Sequence, residues 1–179
     1  MRQTARNYGQ ALYDLALEEN AAGGILRQLL VLQESFRTTP AFLCLLMAPN
    51  ISKKERCAIV DSSFRGKVHP YVLNFIKLLT EAGVVGHFFE CCAYFEDRYN
   101  ADNGILPVQA VTAVPLTEGQ TRKLMKTLAH ITGMHIRLHC RIDPACLGGV
   151  CLHYNGKQID GTVKTRLESL SDLLRNMVL

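Results

Sequence analysis

Asn100-Ala101-Asp102-Asn103-Gly104-Ile105-Leu106-Pro107-Val108-Gln109-Ala110-Val111-Thr112-Ala113-Val114 is where the hydrophobic pattern of the chain changes period. Upstream of it, apolar residues recur at three- and four-residue steps, the spacing of a helix face. From Pro107 to Val114 they alternate and are rich in valine, which predicts a half-buried strand. The polar run Asn100 to Gly104 is the expected boundary. It separates a helical part, residues 1–104, from an α/β part, residues 105–179.

Working back from that boundary, six helices are predicted. Tyr8, Ala11, Leu12, Leu15 and Ala16 give the first an apolar stripe, which Gly23 and Gly24 interrupt. Ile25, Leu26, Leu29, Leu30, Leu32 and Phe36 mark the second. Thr39-Pro40 reads as a cap and a first-turn proline opening a short third helix through Phe42, Leu45 and Leu46. Ser52-Lys53-Lys54-Glu55 is a capping box for the fourth. His69-Pro70 opens the fifth, where Val72, Leu73, Phe75, Ile76, Leu78 and Leu79 cover more than one stripe. Such a helix either sits centrally or presents a second apolar face outward, and the sequence leaves both open. Val85, Phe88, Phe89, Cys92 and Phe95 mark the sixth, which fades through Asn100 to Gly104.

Working forward, Thr117-Glu118-Gly119-Gln120 is a second capping box, opening a helix with Leu124, Leu128 and Ile131 inward. Met134, Ile136, Leu138 and Cys140 alternate with His135, Arg137, His139 and Arg141, as in a strand with one wet face. Val150, Leu152 and Tyr154 form another strand, which Asn155-Gly156 turns back towards Ile159. A last helix is expected from Val163 to Met177. The expected architecture is an all-α six-helix bundle followed by a small α/β (α+β) domain with a short mixed sheet and a C-terminal helix.

Composition narrows the function. The 179 residues, with 48% hydrophobic and 20% charged, match an ordinary globular chain. Charges interrupt every apolar run, so no membrane span, signal core or transit extension is expected, and the chain reads as a soluble intracellular or mature organellar protein. Residues 1–104 carry eleven basic and eleven acidic side chains, and residues 105–179 carry nine and five. The whole excess of +4 therefore lies in the second part, consistent with an acidic partner there or with an ordinary solvated surface. Seven cysteines without a CxxC pair read as free thiols.

No catalytic constellation emerges. Gly149 to Lys157 ends in Gly-Lys, but Gln158 follows where a phosphate loop needs Ser or Thr. His135 and His139 lie four apart on one strand, too far for shared chelation. Asp143 and Asp160 read as caps beside Gly148-Gly149 and Gly161. Gly83-Val84-Val85-Gly86 matches the GxxG of one class of RNA-binding module, with valines where polar residues would serve it. An RNA-binding α/β module is the alternative reading. Neither an enzyme nor a cofactor or metal site is expected; an interaction protein with two unlike modules is.

Three segments carry a family resemblance. Thr4-Ala5-Arg6-Asn7-Tyr8-Gly9-Gln10-Ala11-Leu12-Tyr13-Asp14-Leu15-Ala16 is one, and Val72-Leu73-Asn74-Phe75-Ile76-Lys77-Leu78-Leu79-Thr80-Glu81 another. The third is Ile142-Asp143-Pro144 through Leu147-Gly148-Gly149-Val150, then Ile159-Asp160-Gly161-Thr162-Val163-Lys164-Thr165-Arg166-Leu167. Together they resemble the delta subunit of the bacterial and chloroplast F-type ATP synthase, whose mitochondrial counterpart is the oligomycin-sensitivity-conferring protein. Gly9 stands where that family usually has alanine.

The resemblance implies a non-catalytic peripheral-stalk (stator) subunit for proton-driven ATP synthesis. It would be peripheral on the cytoplasmic face of a bacterial cell membrane, with an organellar equivalent as the other setting. Residues 1–104 would cap the catalytic head and receive N-terminal segments of the alpha subunits. By the same analogy their guest groove lies between helices one and five, at Tyr8, Ala11, Leu12, Leu15, Asn74, Phe75, Leu78 and Leu79. Residues 105–179 would hold the b-subunit stalk. The signature positions are Asp143, Gly148, Gly149, Asp160, Gly161 and Arg166.

Overall fold

The computed structural model describes residues 2–163. The last predicted helix, save its first residue Val163, and Arg166 lie outside the described residues. The chain divides into two compact units that meet in sequence at Tyr99 and Asn100.

The first unit is built from α1 (Arg2–Glu18), α2 (Ala22–Thr38), α3 (Pro40–Met47), α4 (Lys53–Phe64), α5 (Pro70–Glu81) and α6 (Phe88–Asp102), with a 3-10 turn at Val85–His87. The break between α1 and α2 falls at Glu19 to Ala21, where Asn20 takes a positive φ of 53°. Gly23 and Gly24 sit inside the first turn of α2 and do not interrupt the helices as expected. Ser52 closes its capping box with Glu55, whereas the Thr39 side chain makes no capping bond and leaves the start of α3 to Pro40 at the first helical position. Leu30 and Leu45 face outward rather than into the core, because Leu29 and Leu46 already fill the inward positions of their turns.

Tyr13, Ile25, Leu29, Leu46, Val60, Val72, Ile76, Leu79, Val85, Phe88 and Phe95 are among the fully buried side chains that hold the bundle. Burial of each large apolar side chain contributes about 1.5–3 kcal/mol. Tyr13 meets Phe95 edge to face at 5.2 Å, and Phe36 meets Phe88 at 4.9 Å. Gly9 lets α1 approach α6: a Cβ there would stand 2.7 Å from the Cys91 carbonyl oxygen, so the alanine usual in the resembling family would force the helices apart. Asp61 on α4 pairs with Lys77 on α5 at 2.8 Å. That ion pair, with Arg65 alongside, holds the Asp61 carboxyl below the ordinary aspartate range.

The second unit contains β1 (Ile105–Thr112), α7 (Glu118–Thr132), β2 (His135–Ile142), a 3-10 turn at Pro144–Cys146, β3 (Val150–Tyr154) and β4 (Lys157–Asp160). Strand order is β2-β1-β3-β4, with β1 parallel to β2 and antiparallel to β3, and β3 antiparallel to β4. The parallel pair needs a crossover, and α7 supplies it. Leu106, Val108, Ala110, Ile136 and Leu152 form the core on one sheet face, against Leu124, Met125, Leu128 and Ala129. Ile131 is 72% exposed, so the inward stripe of α7 runs through Met125 and Ala129 instead. Cys140 and Met134 are likewise exposed, leaving β2 half-buried only around Ile136 and Leu138. The sixth helix ends inside the expected Asn100 to Gly104 stretch. α6 continues through Asp102, with Asn100 buried.

Candidate functional site

α1 and α5 touch in the helical unit, and the Tyr71 hydroxyl donates to the Glu19 carboxylate at 3.1 Å, joining the end of α1 to the start of α5. The eight groove candidates divide between two environments. Leu12, Phe75 and Leu79 are core, at 3%, 7% and 0% exposure, and Phe75 faces the Phe88 ring at 6.2 Å. Tyr8 is half-buried against that core. Ala11 and Asn74 are exposed, and so are Leu15 and Leu78, at 44% and 48%.

Helical spacing puts Tyr8, Ala11 and Leu15 on one stripe of α1, and Tyr71, Asn74 and Leu78 on one stripe of α5. The surplus apolar character of α5 is thereby resolved. α1, α2 and α4 all pack against it, which buries Val72, Phe75, Ile76 and Leu79, and Leu78 is the large apolar side chain left outside. Tyr71 and Glu19 escaped sequence reasoning because 52 residues separate them and neither carries a local signal.

In the second unit Gly148 and Gly149 come against the Gly161–Val163 segment. The Gly161 N–H donates to the Val150 carbonyl at 3.0 Å, and the Val163 N–H to the Gly148 carbonyl at 3.0 Å. Gly149 has φ 81° and lies so close to the Gly161 carbonyl oxygen that a Cβ there would collide with it. Asp160 Oδ1 accepts the Thr162 N–H at 2.9 Å, and Asp143 Oδ1 accepts the Ala145 N–H at 3.0 Å. This is a structural knot in which two chain segments cross at backbone distance. Its two aspartates are committed to turns.

Other candidates resolve in the same way. Val85 is buried at 2% exposure, so the Gly83–Gly86 stretch is packed down by its own valine. Cys91 and Cys92 are buried, which pushes their thiols up to about 11 and about 12. Among the described residues no group of three or more His, Cys, Asp or Glu is placed to hold a metal ion, and no single helix is long and apolar enough to cross a membrane.

The described residues thus form a helical unit with a filled core, joined in sequence to a sheet unit knotted by glycines. The chain belongs to the ATP synthase delta (OSCP) subunit family, whose model matches residues 4–174. It is 29% identical to the ATP synthase subunit delta of Alkaliphilus metalliredigens, over 97% of each chain. It is 27% identical to that of Clostridioides difficile, also over 97% of each. Its fold matches a chain of the Toxoplasma gondii mitochondrial ATP synthase hexamer with a TM-score of 0.75 at 18% identity, covering 95% of this chain and 96% of that one. The family is one of structural, non-catalytic subunits of a membrane-associated ATP synthase, in its peripheral stalk. None of these likenesses points to RNA.

Proposed function

We propose that this chain anchors the catalytic head of the ATP synthase to its stator, with residues 1–104 on the head and residues 105–179 on the b-subunit stalk. The observation that carries the first half is the pair of exposed leucines, Leu15 on α1 and Leu78 on α5, on two helices that touch. An amphipathic helix laid there would cover them, which is the chemistry an N-terminal segment of an alpha subunit brings. The excess of basic over acidic residues in the second part, nine against five, favours an acidic stalk end.

The mechanism is mechanical. Proton flow turns a rotor inside the head, and the head turns with it unless it is held. Binding free energy and stiffness at two joints hold it, and no transition state is stabilised by this chain. The complex would sit on the cytoplasmic face of the cell membrane. The test is reconstitution: membranes stripped of this subunit, given back the head with or without the chain, and assayed for ATP-driven proton pumping. Pumping restored only with the chain supports the reading, and pumping equal in both arms contradicts it. A stalk joint equally tight at low and high salt would contradict the charge argument alone.

A further inference from the structure

α2 buries Ile25, Leu26, Leu29, Leu32 and Phe36 and turns its opposite side to solvent. On that outer side two adjacent large apolar residues, Leu30 and Val31, are 40% and 66% exposed. Arg27 stands three residues before Leu30 and Glu34 three residues after Val31, and both are exposed. At 3.6 residues per turn the four side chains leave the helix within an arc of about 100°. They form one stripe, and none of them belongs to the residues assigned to the head or the stalk.

The order basic, apolar, apolar, acidic is its own complement under a two-fold rotation. A second α2 laid antiparallel, with the axis passing between Leu30 and Val31, sets Leu30 level with the partner's Val31. The same operation sets Arg27 level with the partner's Glu34, and symmetry makes that pair twice. Gly24 comes level with the partner's Arg37, and nothing lies within 4 Å of a Cβ at Gly24, so the long side chain has room. Parallel alignment sets Arg27 against Arg27 and Glu34 against Glu34, and like charges oppose it. Within one chain the two charges are lightly held. Glu34 meets Arg37 at 3.9 Å with both side chains solvated, and the Arg27 Nε donates to the Gly23 carbonyl at 3.3 Å, which leaves its other N–H groups for a partner.

We infer that the outer side of α2 is a self-association face, on which a second copy of this chain docks antiparallel through Leu30, Val31, Arg27 and Glu34. An unrelated apolar guest accounts for the leucine and the valine, but not for opposite charges spaced equally on either side of them. Two apolar side chains from each copy fall short of the ~1,200 Å² that a stable interface buries, so the pair forms in concentrated solution and separates on dilution. One chain per head in dilute solution is compatible with it.

The test is sedimentation equilibrium of the full chain from about 10 µM to about 1 mM. The wild-type average mass should climb from one chain towards two, and Val31→Glu should hold it at one. Arg27→Glu and Glu34→Arg should each associate about three- to tenfold more weakly, with melting temperatures unchanged. An equimolar mixture of those two variants should recover the association, because every charge then meets its opposite. A wild type that stays a single chain throughout overturns the inference, as does association that ignores the charge reversals or a mixture no stronger than its separate components. Charge-reversed chains that instead lose the catalytic head, beside a wild type that stays single, give this face to the head and overturn the inference too. Its failure leaves the head and stalk readings standing, since it uses none of their residues.

Discussion

The Tyr71 hydroxyl donates to Glu19 at 3.1 Å, so the first turn of α5 is fastened to the end of α1. That bond raises the Tyr71 phenol above its ordinary ionisation range, with the nearby Glu19 and Glu18 charges and burial adding to it. A group raised in the folded state lends stability that is complete below its unfolded pKa and is lost as pH climbs through the folded value. Tyr71→Phe should therefore melt below wild type at neutral pH, and the gap should narrow in strong alkali. Equal melting at neutrality would show that the bond fastens nothing.

Phe75 and Leu78 lie three residues apart on one helix yet at 7% and 48% exposure. Phe75→Ala should cost about 3–5 kcal/mol of folding stability through the cavity it leaves. Leu78→Ser should leave the melting temperature within a degree or two, since an exposed position has little packing to lose, with an effect of about 0.5 kcal/mol or less. Its loss should appear in affinity for the head. Thermal melts beside a binding assay separate the two.

Gly149→Ala combines a positive φ with a collision against the Gly161 carbonyl. The strained backbone alone costs about 1–3 kcal/mol, and the collision adds to it. Denaturant unfolding should show the loss, whereas Gly119→Ala, where nothing lies within 4 Å of the added carbon, should not be destabilising. An equal response at both glycines would refute the knot.

Thiol chemistry gives an independent check of burial. Cys44 and Cys140 are exposed, while Cys91, Cys92 and Cys151 are buried with raised thiols. A disulfide exchange reagent attacks the thiolate, so the exposed pair should react first and the buried three only on unfolding. Rapid reaction of all seven in the native chain would contradict this core.

The helix and strand pattern was legible because hydrophobic period and capping chemistry are local. Ser52 with Glu55 and Thr117 with Gln120 close their boxes as their spacing implies. Asn155-Gly156 likewise turns a hairpin with positive φ at both positions. Exposure was less legible, since Leu29 and Leu30 differ by a rotation that only the packing partners fix. The α5 stripe showed the same limit: apolar count revealed a surplus, but Leu78 as the outward residue depends on where α1, α2 and α4 pack. Gly9 and the Gly149–Gly161 crossing were visible as motifs, and their cause was not, because it is a distance between segments remote in sequence.

The most direct test is sedimentation velocity of the full chain with a catalytic head depleted of its own delta subunit, comparing wild type with Leu15→Ser/Leu78→Ser. The account predicts a complex of one chain per head for wild type, and a clear loss of affinity for the variant with its melting temperature preserved. A variant that binds the head as tightly as wild type would contradict the groove, and a wild-type chain that fails to bind would contradict its role as the head's anchor.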